Sequence, residues 1–147
     1  MAVAPTVTQE AISKPGITTA VGIGNVTSLG DSAVTAHGVC WNTTGMPTTA
    51  DSKVDNGAKS ATGRYQAYIS GLASATKYYA RAYATNTTGA SYSEEVSFTT
   101  SAYFVYIVDN HLLYKDEDSV ERVAVAADLI ATFDDTVISH EDNVVYT

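Results

Sequence analysis

Net charge divides this chain into two parts near Thr100. Residues 1–100 carry six acidic and six basic side chains, so they are neutral overall. Residues 101–147 carry ten acidic side chains against Lys115 and Arg122, so the whole formal charge of -8 lies in this segment. We therefore predict two units: a domain over 1–100 and an acidic segment over 101–147 that serves docking or assembly.

Composition favours strands and argues against several classes of function. The chain is 45% hydrophobic, as a globular protein is, but only 16% charged, and it contains ten tyrosines. Its acidic balance argues against nucleic acid as a partner, because phosphate binding needs clustered Lys and Arg. No run approaches the roughly 20 apolar residues that span a bilayer, so we expect no membrane insertion. The first residues carry no basic stretch followed by an apolar one, so we expect no signal peptide in this chain.

Short β-prone segments separated by turn residues follow one another through the first 100 residues. We predict six strands, over 5–13, 18–28, 35–43, 63–70, 77–86 and 91–100, a turn over 54–57 and a hairpin turn over 86–89. The fifth strand is the clearest, because Tyr78, Ala80 and Ala82 alternate with a second set, formed by Tyr79, Arg81 and Tyr83. This pattern, with no helical period, predicts an all-β antiparallel sandwich.

Several of these residues also carry a resemblance to a known family. The pattern of Leu72, Thr76, Tyr78, Ala82, Asn86 and Gly89, followed by Glu-Val-Ser-Phe-Thr-Thr over 95–100, resembles the end of a fibronectin type III-like domain. The runs around Trp41 and over 78–86 are similar to a bacterial and phage variety of it. The resemblance covers about residues 4–100 and implies an immunoglobulin-like β-sandwich. It also implies that the Tyr78 hydroxyl pins a crossover loop, while Trp41 would fill the volume of a Trp that the family usually has on its second strand.

The last 47 residues lie outside this resemblance and are predicted to be β-rich. Residues 103–114 form a predicted hairpin with a turn at 109–110, and 138–146 repeat part of its pattern as a second one. Residues 120–133 fit either a strand or a helix capped by Ser119, and we favour a strand. Two hairpins bury too little apolar surface alone, so we expect the sandwich, a second copy of the chain or a different protein to cover them, which points to assembly. The predicted assembly residues are Phe104, Ile107, Leu112, Leu113, Phe133 and Val144.

Three groups of polar residues are candidates for chemistry. We predict a binding surface for a partner protein or a surface glycan at Tyr79, Arg81 and Tyr83, joined by Tyr65 or Tyr92; the alternative is ordinary cross-strand pairing. Cys40, on a central strand, is predicted to be a buried, inert thiol. The acidic turns offer candidate calcium ligands, and the alternatives are solvated turns or an electrostatic contact to a basic partner surface; the candidate ligands are Asp116, Asp118, Asp134 and Asp135.

No arrangement of residues in this sequence points to catalysis. The histidines are far apart, and no serine stands in a nucleophile motif, so we expect no enzyme activity and no cofactor. Our first hypothesis is a structural protein of a phage virion, such as a capsid decoration, fibre or tail accessory protein, held by its C-terminal segment. The alternative is a carbohydrate- or protein-binding module of a larger secreted or surface bacterial protein. Both hypotheses place the chain on a virion or an extracellular surface.

Overall fold

The chain divides into two compact units, Met1–Thr100 and Ser101–Thr147. The computed structural model describes residues 2–102, together with the strands over 104–108, 111–115, 121–124 and 144–145. Among the described residues, no apolar helix has the length needed to cross a membrane.

The first unit is a sandwich of two antiparallel sheets. One sheet has the order β1-β2-β5, and the other has the order β4-β3-β6, with both β7 and β8 paired to the far edge of β6. The strands are β1 (Thr6–Gln9), β2 (Ala20–Ser28), β3 (Ala36–Asn42), β4 (Ser52–Asp55), β5 (Gly63–Ile69), β6 (Lys77–Thr85), β7 (Ala90–Tyr92) and β8 (Val96–Thr99). This architecture confirms the predicted fibronectin type III-like sandwich.

Burial alternates along β2 and so shows which of its sides enters the core. In β2, Ala20, Gly22, Gly24 and Val26 are buried while the residues between them are partly exposed. Trp41 is only 8% exposed, and it belongs to one core cluster with the stacked rings of Tyr78 and Phe98. The prediction that Trp41 fills core volume is therefore confirmed. A second cluster consists of Val7, Val26, Val34, Tyr65, Ala82 and Ala84.

Glycine at position 24 makes room for a tyrosine that joins the two sheets. A Cβ atom on Gly24 would lie 2.4 Å from the Tyr65 hydroxyl oxygen, closer than any side chain tolerates. The Tyr65 hydroxyl crosses the core and donates a hydrogen bond of 2.8 Å to the carbonyl oxygen of Gly38. Burial raises the pKa of Tyr65, so this hydroxyl stays a donor. Tyr65 is a core residue, and the expectation that it joins an outward aromatic face was wrong.

The Tyr78 hydroxyl pins the crossover between β5 and β6, as the family resemblance implied. The backbone nitrogen of Ala73 donates to this hydroxyl at 2.9 Å. Thr100, at the end of the unit, fastens the same crossover, because its hydroxyl donates to the Ala73 carbonyl oxygen at 2.6 Å and accepts from the Thr76 nitrogen at 2.9 Å. The end of the sandwich is thus tied to the β5–β6 crossover.

The strand boundaries differ from the prediction in three places. The predicted turn at 54–57 is partly wrong, because Val54 and Asp55 belong to β4, which pairs with β3. The predicted first strand is shorter than expected, and beyond β1 only Ser13 forms an isolated bridge, to Val21. The predicted sixth strand is two strands, β7 and β8, with a register offset of one residue between them on β6. This offset is a β-bulge, where the Ser93 hydroxyl accepts the hydrogen bond of the Ala82 nitrogen at 3.0 Å.

The second unit contains an antiparallel sheet with the order β11-β10-β9-β12. Its strands are β9 (Phe104–Val108), β10 (His111–Lys115), β11 (Glu121–Ala124) and β12 (Val144–Val145). The predicted first hairpin is confirmed as the β9–β10 pair. The favoured strand after Ser119 holds for 121–124. Of the predicted second hairpin, only β12 lies within the described residues, where it pairs with β9.

Candidate binding surfaces

The predicted binding residues lie on the side of β6 that faces away from the core. We call this surface the β6 outer face; it is formed by Cys40, Lys77, Tyr79, Arg81, Tyr83 and Tyr92. The register of β3, β6 and β7 places them on one side, because Cys40 pairs with Arg81 and Tyr83 pairs with Tyr92. For Tyr79, Arg81 and Tyr83 on this face, the sequence predicted a surface open to a partner, with ordinary cross-strand pairing as the alternative.

Tyr83 is not open to a partner, because only 1% of its surface is exposed. Its ring lies against Gly38, and its hydroxyl donates to the carbonyl oxygen of Val54 in the edge strand β4 at 3.3 Å. Burial, with a further contribution from the Asp55 carboxylate, raises the pKa of Tyr83 to about 12. The prediction of an exposed Tyr83 was therefore wrong. The alternation of residue types along β6 shows on which side of the strand a side chain lies. It does not show whether another segment of the chain covers that side.

Tyr92 and the β3–β4 loop together cover the centre of the β6 outer face. From β7 the Tyr92 side chain reaches the loop, where its hydroxyl accepts from the Thr49 nitrogen at 3.1 Å and bonds the Thr49 hydroxyl at 3.0 Å. The Arg81 guanidinium carbon lies 4.8 Å from the centre of the Tyr92 ring, and Arg81 Nε donates to the Ser93 carbonyl oxygen at 2.8 Å. Arg81 is therefore held by a cation–π contact and a backbone hydrogen bond.

The β3–β4 loop is fastened at both ends and at its middle. Asn42 accepts hydrogen bonds from the nitrogens of Thr44 and Gly45, which begins the loop with a tight turn. At the other end the Asp51 carboxylate accepts from the Thr48 nitrogen at 2.8 Å, and this bond lowers the pKa of Asp51. In between, the Glu95 carboxylate accepts from the Met46 nitrogen. These bonds hold the loop over the face.

Cys40 lies beneath this cover and is fully buried. Its sulfur donates to the Arg81 carbonyl oxygen at 3.5 Å. Burial raises the pKa of the Cys40 thiol to about 11, even though the nearby Arg81 charge acts in the opposite direction. A thiol that stays protonated and shielded from solvent is a poor nucleophile. The prediction that Cys40 is buried is confirmed, and its raised pKa supports the prediction that the thiol is inert.

Tyr79 and Lys77 remain as the accessible end of the β6 outer face. Tyr79 is half-buried, and the Lys77 ammonium nitrogen lies 5.1 Å from the centre of its ring. The structure therefore separates the three predicted binding residues. Tyr79 is partly accessible, Arg81 is engaged by Tyr92 and Ser93, and Tyr83 is buried.

The described residues contain no group of three His, Cys, Asp or Glu side chains that could hold a metal ion. The four candidate calcium ligands lie outside the described residues. His37 is a buried core residue whose Nδ1 lies 2.7 Å from the Gly57 carbonyl oxygen, and its ring meets Tyr65 edge-on.

A hydrogen-bond network that the sequence did not predict joins three segments at the end of the sandwich opposite Thr100. Asn86 is only 4% exposed. Its Nδ2 donates to the carbonyl oxygens of Val3 and Leu29 at 3.0 and 3.1 Å, while its Oδ1 accepts from the Thr88 nitrogen at 2.8 Å. Asp31 completes the network by accepting from the Val3 nitrogen at 3.1 Å. We call these residues the N-terminal clamp.

The sequence predicted only one part of the N-terminal clamp, the turn that contains Asn86. Asn-Thr-Thr-Gly at 86–89 predicted a hairpin turn, which the structure contains between β6 and β7. A turn signal describes only its own four residues, however, and Val3 lies 83 positions away from Asn86. No local pattern could have linked them.

Five of the six predicted assembly residues lie in strands of the second sheet: Phe104 and Ile107 in β9, Leu112 and Leu113 in β10, and Val144 in β12. Phe133 lies outside the described residues.

Comparisons with known proteins add solved structures of similar architecture but no close relative. No protein-family model and no curated protein matches the chain. One similar structure is the sensor domain of the anti-sigma factor RsgI4 of Pseudobacteroides cellulosolvens, at 17% identity and a TM-score of 0.49, covering 66% of this chain and 94% of that one. Another is a fibronectin type III domain of human fibronectin type III domain containing protein 3, at 22% identity and a TM-score of 0.44, covering 67% and 87%. The first unit is a fibronectin type III-like β-sandwich module.

Proposed function

We propose that this chain is a non-enzymatic structural protein that displays its sandwich from an assembly to which residues 101–147 attach it. The setting we propose is a phage virion, where the chain serves as a capsid decoration, fibre or tail accessory protein. Its partners are other protein subunits, either further copies or a scaffold.

The observation that carries this proposal is where the chain enters and leaves the sandwich. Val3 is held by Asn86 and Asp31 in the N-terminal clamp. Thr100 is held at the β5–β6 crossover by Ala73 and Thr76. These two sites lie at opposite ends of the sandwich, because β6 runs from the crossover to Asn86. A module held at its C-terminal end therefore presents its clamp end to the outside.

The second support is the contrast between the two units. The sandwich is neutral and has its own core, whereas the acidic segment carries many apolar residues and, in its described residues, forms a small four-stranded sheet. A sheet of this kind needs cover, and assembly with another subunit supplies it. The segment's charge favours a scaffold surface rich in Lys and Arg, because like charges would oppose its pairing with a second acidic copy.

The state of the β6 outer face favours this function over a glycan-binding one. Stacking against a sugar ring requires an open aromatic face. Tyr83 is buried, and Tyr92 is occupied by Arg81 and Thr49. Among the predicted binding residues, only Tyr79 offers part of its ring.

The test is the subunit number in solution of the full chain and of residues 1–100, measured by light scattering. We expect the full chain to form a defined oligomer, either by itself or together with its scaffold protein. The number of subunits should fall when residues 101–147 are removed. The same subunit number with and without the segment, both alone and in the presence of virion proteins, would refute an anchoring role.

A further inference from the structure

β5 is an edge strand of the sandwich, and its outer edge pairs with no other strand of the described residues. β5 ends the three-stranded sheet, with β2 as its neighbour on one side. In a strand, the N–H and C=O of one residue point to the same side, and those of the next residue point to the other. Which residues of β5 face the open side therefore follows from the bonds of β2.

The bonds of β2 place the even-numbered residues of β5 on the open side. The carbonyl oxygen of Ile23 accepts from Glu10, and Val21 exchanges two bonds with Ser13, so odd residues of β2 bond toward β1. Its even residues therefore bond toward β5, where they pair with the odd residues 63, 65, 67 and 69. Arg64, Gln66 and Tyr68 consequently direct their backbone groups outward. The bond from Asn56 Nδ2 to the Gln66 carbonyl oxygen, at 2.7 Å, agrees with this direction.

The same three residues are exposed on the outer face of the sheet. Tyr68 is 70% exposed, the largest exposed fraction among the large hydrophobic residues of the described chain. Its hydroxyl donates to the Gln66 side chain at 3.0 Å, which fixes the ring over the sheet. Arg64 is also exposed, in a surface ion pair with Glu10.

The spacing of these residues is self-complementary. Arg64 and Tyr68 lie two positions to either side of Gln66. If two β5 strands pair antiparallel about Gln66, each copy's Arg64 lies directly opposite the other copy's Tyr68, on the same face. Cross-strand partners have Cβ atoms about 4.5–5.5 Å apart, a separation at which Arg and Tyr form a cation–π pair. The β5 edges of two copies are therefore complementary in both their backbone hydrogen bonds and their side chains.

We propose that a second copy of this chain pairs with this edge, β5 against β5, and joins two three-stranded sheets into one of six strands. The neutral charge of residues 1–100 permits this contact, because two sandwiches do not repel each other. The Arg64–Glu10 pair is a weak surface pair that lets Arg64 turn toward Tyr68 of the other copy. The Asn56 side chain competes with this pairing, because it occupies the Gln66 carbonyl oxygen, one of the backbone acceptors that the second copy needs.

Disulfide cross-linking of the full chain tests both the contact and its register. In the proposed pairing, the two Gln66 residues face each other as a hydrogen-bonded pair about 5.5 Å apart at Cα, within disulfide reach. Two Arg64 residues lie about four strand positions apart, roughly 14 Å, and are out of reach. The native Cys40 is buried and does not compete. The readout is the disulfide-linked dimer formed under mild oxidation, with salt added to screen the acidic segments.

We expect Gln66→Cys to form a linked dimer, and Arg64→Cys and Tyr68→Cys to form little when each is alone. A mixture of Arg64→Cys and Tyr68→Cys should cross-link at least about tenfold more than either alone, because only the mixed pair stands opposite. Asn56→Ala in the Gln66→Cys chain should raise the yield. Equal yields for all three single variants, or none for Gln66→Cys, would overturn the proposal. Because the readout depends on β5 register, it is independent of any assembly through residues 101–147.

Discussion

The hydroxyl of Tyr92 lies 3.1 Å from the backbone nitrogen of Thr49, a residue 43 positions earlier in the chain. This contact ties β7 to the β3–β4 loop across the outside of the sheet. The loop and Tyr92 form a second packed layer over Cys40 and Arg81. This layer explains why β6, although it carries alternating aromatic residues, exposes little aromatic surface to solvent.

Replacing Tyr92 by Phe should loosen this layer. The loop would lose both hydrogen bonds to Thr49, and we expect a loss of about 1 kcal/mol in the free energy of unfolding. Cys40 should then react faster with a thiol reagent under native conditions, because its cover opens more often. Tyr68→Phe is the control, since the Tyr68 hydroxyl bonds only an exposed side chain. Equal labelling rates for the two variants would contradict a covering role for the Tyr92 hydroxyl.

Replacing Trp41 by Ala should cost about 3–5 kcal/mol in the free energy of unfolding, because it empties the largest side chain of the first core cluster. Urea denaturation followed by circular dichroism measures this loss. Trp41→Phe keeps most of the volume and should cost less. A loss below about 1 kcal/mol for Trp41→Ala would mean that the cluster does not depend on this side chain.

Replacing Asn86 by Ala should destabilise the sandwich by about 2–3 kcal/mol, since it leaves several backbone groups of the N-terminal clamp without partners. Amide exchange should increase first near Val3, which Asn86 holds in place. Asn25, half-buried on the outer side of β2, provides the matched Asn→Ala control. If Asn86→Ala changed stability no more than Asn25→Ala, the clamp would not be what fastens the N-terminal segment.

The clamp should also weaken in acid. Hydrogen bonds from the Val3 nitrogen and the Thr88 hydroxyl lower the pKa of Asp31 below its ordinary value of 3.8. Folding thus favours the charged form, so its contribution is fully present above pH 3.8 and is lost as the pH falls through the lower folded-state pKa. Asp31→Asn should therefore lower the melting temperature at neutral pH, with the difference shrinking below pH 4. A difference independent of pH would show that the charge is not involved.

The sequence predicted the interior of the sandwich better than its edges and surfaces. Alternation in β6 separated the core side from the outer side, because period-two patterning arises directly from burial. β4 was not predicted, since Ser-Lys-Val-Asp is a polar edge strand with a single apolar residue, followed by the strong turn signal of Asn56 and Gly57.

The candidate site was harder to predict, for a related reason. The pattern placed Tyr79, Arg81 and Tyr83 on one side of β6, and the structure agrees. Whether that side is open depends on a loop some 30 positions earlier in the chain and on Tyr92, and neither appears in the local pattern. The same holds for the clamp, where a turn at Asn86 is fastened to Val3 from the other end of the domain.

The measurement that tests the account most directly is the unfolding of residues 1–100 alone, followed by the fluorescence of Trp41, the one tryptophan of the chain. If the sandwich is a self-sufficient module that the acidic segment only anchors, residues 1–100 should show the emission of a buried tryptophan. They should then unfold in one cooperative transition, at the midpoint of the same transition in the full chain. A red-shifted emission in the absence of denaturant, or an aggregated product, would show that the sandwich needs residues 101–147 to fold and would contradict this account.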